Sequence, residues 1–362
     1  MIKLYDPDIK NSDIESVLKS LKNKDLSGNT ETVKTFENKL SKFLGIKYVS
    51  SCSSGTAALH LALLCTGIKK NDEVIMPNLS YIATANAVTY VGGVPVFVDI
   101  DPETWQIDVD KIEMCITKNT KAIMPVHLYG VVPELDRINR LAKKYNLKVI
   151  HDSAEALGSK YNKKYSTNFR NVSILSFFPN KIITTGEGGA LCTNDKSIYE
   201  MSEKLKSQGL QGKKEYFHSD IGYNYRMSAM SAALGTPQID RIERNIEKKK
   251  KLFDKYKFAL EPSGFKFQDL SINSNSSYWL IACLVPEKIS RNALKNYLYK
   301  NGIETRNVFI PLNEQLPYKH FYKKGVFPNS NLISSRGICL PSSPSLSNSD
   351  FLYIIKTIKC FI

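Results

Sequence analysis

Between about residues 30 and 195 the chain alternates short β-rich runs with helical patterns. That alternation restricts the segment to α/β crossovers on a mainly parallel sheet. The strand candidates are EVIMP (73–77), PVFVDI (95–100), KAIMPV (121–126), LKVIHD (147–152) and SILSFF (173–178). Between them, TAALHLALLCTG (56–67), SYIATANAVTYVG (80–92) and ELDRINRLAKKYN (134–146) carry apolar residues at helical spacing. A long helical pattern then runs from about 227 to 260, and EPSGF (261–265) breaks it with proline and glycine. Beyond it, strand patterns such as YWLIACLV (278–285) mix with helical ones such as SRNALKNYLYKNG (290–302), while SINSNSS (271–277) reads as a polar loop. The expected organisation is a large α/β domain, 1–240, followed by a small α+β domain, 241–362.

With 362 residues, 42% of them hydrophobic, the chain can bury a sizeable core without staples. No apolar run approaches the roughly 18 to 20 residues that span a bilayer, and MIKLYDPDIKNSD lacks a signal peptide's apolar stretch, so the expected location is the cytoplasm, with no membrane partner. Seven cysteines form no CxxC pair and no zinc-like cluster, which predicts reduced thiols and no metal. The net charge of +15 comes mostly from scattered lysines. No basic motif with interleaved aromatics accompanies it, so no nucleic-acid partner is expected. The densest run, KKKK (248–251), continues the periodicity of IDRIERNIE and reads as a solvated helix face. A positive potential still favours phosphate-bearing substrates.

Three features follow one another along the chain. SSCSSGTAAL (50–59) is a Ser/Gly/Thr turn entering a helix, whose free N–H groups and positive dipole end suit a phosphate; it is equally an ordinary helix cap. In VIHDSAEALGS (149–159), Asp152 falls at the carboxyl end of a strand, the edge where open α/β sheets bind ligands. A carboxylate there can hold a pyridine nitrogen protonated, or cap the next helix. SFFPNKIITTGEGGAL (176–191) is a strand, a lysine and a glycine-rich turn. An apolar setting would disfavour the ammonium form of Lys181, as an amine nucleophile needs; a lone lysine is otherwise a surface residue.

The phosphate turn, Asp-x-x-Glu, Ser176, Lys181, TTGEGG and GYNYRM (222–227) occur in the order of the DegT/DnrJ/EryC1/StrS sugar aminotransferases, and the chain resembles that family nearly end to end. DPETWQ (101–106), TKAIM-VHLYG (120–130), IETR-VF (303–309) and LPS-PSLSN (340–348) are most similar to its members that act on GDP-linked keto sugars. The resemblance implies the type I aminotransferase fold, with a mainly parallel seven-stranded sheet, and pyridoxal 5'-phosphate (PLP) as cofactor. It also implies transfer of an amino group from L-glutamate to the C4 keto group of a nucleotide-linked 4-keto-6-deoxyhexose, GDP-linked first and UDP-linked second.

By the same resemblance Lys181 and Asp152 are the catalytic pair, Lys181 carrying the cofactor as a Schiff base and Asp152 meeting the ring nitrogen. Gly55, Thr56 and Ser176 would hold the phosphate, and Tyr81 would lie against the ring. Glu155 would meet the phenolic oxygen, where like charge would raise its pKa. Asn224 would reach the phosphate of the other subunit, implying a homodimer with shared active sites. His127, Tyr129, His218, Arg306 and Asn313 are candidates for the sugar-nucleotide pocket and equally readable as satisfied structural polar groups.

The chain departs from the family pattern in three places. STNFRN (166–171) replaces a GTFGD-like turn and adds Arg170, Pro179 replaces a glycine, and Asn313 replaces a histidine. These bear on the substrate rather than on the reaction. A catalytically silent relative would be expected to lose Lys181 or Asp152, and both are present.

Overall fold

The computed structural model describes residues 1–169, 172–210, 216–319 and 327–362. Arg170 and Asn171 lie outside the described residues. The strands, in chain order, are β1 (Tyr48–Cys52), β2 (Glu73–Pro77), β3 (Val94–Val98), β4 (Thr120–Ile123), β5 (Lys148–Asp152), β6 (Lys160–Tyr161), β7 (Lys164–Tyr165), β8 (Val172–Ser176), β9 (Gly189–Thr193), β10 (Lys266–Phe267), β11 (Ser274–Asn275), β12 (Ile281–Leu284), β13 (Arg306–Asn307) and β14 (Gly337–Leu340).

Seven of them form one sheet in the order β1-β9-β8-β5-β4-β2-β3. Every pairing from β8 to β3 is parallel, while β9 runs against both of its neighbours. Its strands are buried almost throughout because helices cover both faces, which is why five of them read as apolar runs. The helix Gly55–Cys65 lies in this core with Ala57 to Leu63 all buried, and the Ser54 hydroxyl caps it by accepting the Ala57 N–H.

The C-terminal part forms a four-stranded antiparallel sheet, β10-β12-β14-β13. Its core joins that sheet to the helices Ile242–Leu260, Arg291–Lys300 and Asn348–Phe361. The chain start is stitched onto this part: Ile2 bridges to Ile303, the Leu4 carbonyl accepts the Ser342 N–H, and the Asp6 N–H donates to Ser343 Oγ. All seven cysteines are free thiols, and among the described residues no helix is long and apolar enough to cross a membrane.

Three local expectations are corrected. The 227–260 pattern is not one helix: Ala229–Gly235 gives way to a 3-10 turn at Pro237–Arg241 before Ile242–Leu260 begins. Pro237 has no N–H for the helical ladder and clashes with the preceding turn. The lysine run is not wholly solvated, because Lys249 falls on the inward stripe with Ile242, Asn245, Leu252, Tyr256 and Leu260. Residues 271–277 are not simply a loop, since β11 pairs with β6 and Ser276 and Ser277 are buried behind it.

Candidate active site

Asp152 and Ser176 are the last residues of adjacent parallel strands, β5 and β8, with Asp152 in register with Ile174. Both therefore stand at the carboxyl edge of the sheet, where crossover folds leave a crevice. After Ser176 the chain does not cross over; it turns, carries Lys181, and returns directly as β9. A cavity of about 550 Å³ opens over this edge. Among the residues lining it are Gly55, Thr56, Tyr81, Asp152, Glu155, Ser176, Lys181 and Arg306, drawn from segments far apart in the chain.

Three ionisable groups share the cavity floor. Lys181 Nζ lies 3.9 Å from Glu155 Oε1, with the two side chains only 12% and 6% exposed. Burial lowers the Lys181 pKa, and the charges of Glu155 and Asp152 oppose that fall. Burial likewise raises Asp152, against hydrogen bonds from the Thr84 hydroxyl to Oδ2 (2.7 Å) and from the Ala154 N–H to Oδ1 (3.2 Å). Glu155 is also pushed up, and here burial is the leading cause, offset by Lys181 and by the Tyr129 N–H that donates to Oε2 at 2.8 Å. The neighbouring charge of Asp152 adds to the rise as its smallest cause.

Of the expected sugar-pocket residues, only Arg306 lines the cavity. His127 does not: its backbone N–H donates to the Asp152 carbonyl, which turns the ring into the interior, where Nε2 meets His151 Nδ1 at 3.2 Å. Both imidazoles are fully buried, and burial lowers their pKa values, that of His151 to about 4. Tyr129 is buried behind the cavity wall, in a triangle of near-parallel rings with Trp279 and Phe309. His218 is exposed, its ring bonded to the Gln208 carbonyl. Asn313 is spent on Asn78, accepting from its Nδ2 (2.8 Å) and donating its own N–H to Oδ1 (3.1 Å). Asn224 is exposed, bridged to Ser207, and does not line the cavity of its own chain.

Two residues at the site carried no flag in the sequence. Thr84 looks like any position of an apolar helix, and only its bond to Asp152 marks it. Trp279 sits inside an apolar strand pattern, yet its ring lies 3.8 Å from Lys181 Nζ.

A mixed seven-stranded sheet, with a buried lysine on the turn into its one reversed strand and two carboxylates at its carboxyl edge, is the type I aminotransferase fold. The chain belongs to the DegT/DnrJ/EryC1/StrS aminotransferase family, whose pattern it matches over residues 7–359. It is 43% identical to the GDP-perosamine synthase of Escherichia coli O157:H7 over 360 residues, covering 99% of this chain and 98% of the relative. The GDP-perosamine synthase of Vibrio cholerae is 35% identical over 361 residues, covering 99% and 98%. Among solved structures, a DegT DnrJ EryC1 StrS aminotransferase from Brucella abortus superposes with a TM-score of 0.91 at 30% identity, covering 97% of this chain and 95% of that one.

Proposed function

We propose that this chain is a PLP-dependent aminotransferase that moves the amino group of L-glutamate onto the C4 keto group of a GDP-linked 4-keto-6-deoxyhexose. One observation carries the reading: a buried amine, Lys181, shares a cavity floor with two buried carboxylates, Asp152 and Glu155. The cavity also has a cradle for a phosphate. Gly55 opens a capped helix, and a Cβ on it would come within 2.9 Å of Ser176 Cβ and 3.2 Å of its hydroxyl, so the missing side chain keeps the helix end close to that hydroxyl. These donors fit the phosphate of PLP, and the ring would lie between that end and Lys181.

Bound there, the cofactor would supply a carbonyl that exchanges its oxygen for an amino group and a pyridine ring that takes up electrons. Asp152 keeps a proton at the ring nitrogen; Thr84 and the Ala154 N–H orient its two oxygens. Lys181, its ammonium form disfavoured by burial, carries a proton to and from the donor's Cα. Glu155 shares a proton with the phenolic oxygen, a task suited to its raised pKa. Tyr81, 59% exposed at the rim, would lie against the ring face. Arg306 on β13 offers a cation to the diphosphate of the acceptor.

On this reading residues 1–240 hold the cofactor, residues 241–362 form the second domain, and the enzyme works in the cytoplasm. It is a homodimer in which exposed Asn224 serves the partner's phosphate site. Co-refolding Asn224→Asp with Lys181→Ala tests that arrangement: mixed dimers would hold one intact site, so activity should return to roughly a quarter of sites under random pairing. No recovery, with mixed dimers confirmed by mass, excludes it. The acceptor is tested by incubating the protein with L-glutamate and GDP-, UDP- and dTDP-linked 4-keto-6-deoxyhexoses and weighing the products. Aminated GDP-sugar is the expected outcome, and exclusive use of a UDP- or dTDP-linked sugar would reassign the substrate.

A further inference from the structure

The contacts around Lys181 close into a ring. Lys181 Nζ sits 3.8 Å from the centre of the Trp279 indole. Trp279 stacks on Tyr129, ring centres 5.8 Å apart and 14° from parallel. The Tyr129 N–H donates to Glu155, and Glu155 returns to Lys181 at 3.9 Å. The indole also has a second grip, since its Nε1–H donates to the carbonyl of Asn180, the residue just before the lysine, at 2.8 Å. Phe309 lies beside both rings, 5.6 Å from Tyr129 and 6.5 Å from Trp279, at 10° and 18° from parallel, so the indole has an aromatic neighbour on each of two sides.

We propose that Trp279 is a positioning residue for Lys181: its ring face holds the charged amine over the cavity floor while its Nε1–H pins the backbone that carries the lysine. This deepens the reading of Lys181 as the reactive amine and rests on it. The charged groups facing the amine are Asp152, at the end of β5, and Glu155, in the turn that follows; Glu187 and Arg306 line the same cavity. Attraction by the carboxylates depends on their own protonation. An aromatic face attracts a cation through its fixed quadrupole, at every pH. Trp279 therefore supplies the part of the hold that Glu155 loses whenever it takes up a proton. Apolar packing alone, in the cluster Trp279 shares with Leu4, Leu128 and Val308, would give stability without touching the amine's titration.

The test is competitive acylation of the full chain, freed of cofactor, over a range of pH, with the labelling of each lysine read by peptide mass. The Lys181 midpoint should fall by about half a unit to one unit in Trp279→Leu and by less in Trp279→Phe, which keeps a ring face but loses the Nε1 donor. Other lysines should not move. Replacing both tryptophans biosynthetically with fluorinated analogues preserves shape and donor while weakening the ring face, and the midpoint should fall stepwise with fluorine number. An unchanged midpoint in folded Trp279→Leu, or across the fluorinated series, overturns the proposal. Turnover retained by Lys181→Ala would instead overturn the reading on which it rests, and it leaves the labelling midpoints as they are.

Discussion

Two lysines have their pKa lowered by burial, Lys181 and Lys249, and their surroundings differ. Lys181 faces a cavity with Glu155, Asp152 and the Trp279 ring around its amine. Lys249, on the helix Ile242–Leu260, is fully buried, donating to the Ser342 carbonyl with its amine 4.8 Å from the Tyr5 ring. Burial lowers both pKa values, that of Lys249 to about 7, where burial acts without an opposing carboxylate. A depressed lysine is thus not by itself a site. Chemistry needs convergent partners and room for a ligand, and only Lys181 has both.

The sharpest break between the two comes from removing each amine. Lys181→Ala should abolish turnover, a loss on the order of 10⁴ or more for a nucleophile that is also the proton carrier, and borohydride should no longer fix cofactor to the chain. Lys249→Met should stay within a few-fold of wild type. Equal losses would erase the distinction.

Next is the carboxylate that Lys249 lacks. Asp152→Asn should reduce turnover by about a hundredfold to ten-thousandfold while circular dichroism stays native, because an amide cannot keep the ring nitrogen protonated. Near-normal turnover would refute that role.

A finer probe is the hydroxyl that orients Asp152. Thr84→Val removes the buried hydrogen bond to Asp152 together with the one shared with Ser80, so a loss of about tenfold is expected, equivalent to about 1.4 kcal/mol, and Thr84→Ser should recover most of it. A serine variant as impaired as the valine one would point to packing instead.

The smallest effect on turnover belongs to Lys249, whose consequence lies in stability instead. Its pKa falls from 10.5 to about 7 on folding, so between those values the unfolded chain holds a proton that the folded chain lacks. Stability from this group must then rise with pH across that window, by up to about 1.4 kcal/mol per unit. Denaturant titrations of wild type and Lys249→Met should diverge accordingly, wild type gaining between pH 7 and 9. Parallel curves would mean that Lys249 stays charged in the fold.

What the sequence made legible follows from where chemistry and periodicity coincide. The five apolar runs of the large sheet and the Asp152, Ser176 and Lys181 motifs were readable because doubly buried strands are continuous in apolar residues and sheet edges follow from strand ends. β9 was missed: GALCT is short, begins with glycine and joins directly to the lysine turn. Trp279 was hidden because strand periodicity says that a side chain is inside and not what it touches. Lys249 was misread although a signal existed, since helical spacing from Ile242 through Asn245 to Leu252 and Tyr256 places position 249 on the inward stripe. Asn313 and His127 could not be placed without coordinates, because an Asn–Asn or His–His pair across distant segments leaves no local pattern.

The lysine turn is fastened from both ends of the molecule. The Tyr5 hydroxyl donates to the Lys181 carbonyl across 176 positions of chain, and Trp279 reaches Asn180 across 99. Contacts so distant close large loops and form late, whereas β8 and β9 are joined by a short connection and can pair early. On dilution from denaturant, the far-ultraviolet signal should therefore recover before Lys181 acquires its shifted reactivity. The interval between the two is the time the chain needs to bring its beginning and its last quarter to one point.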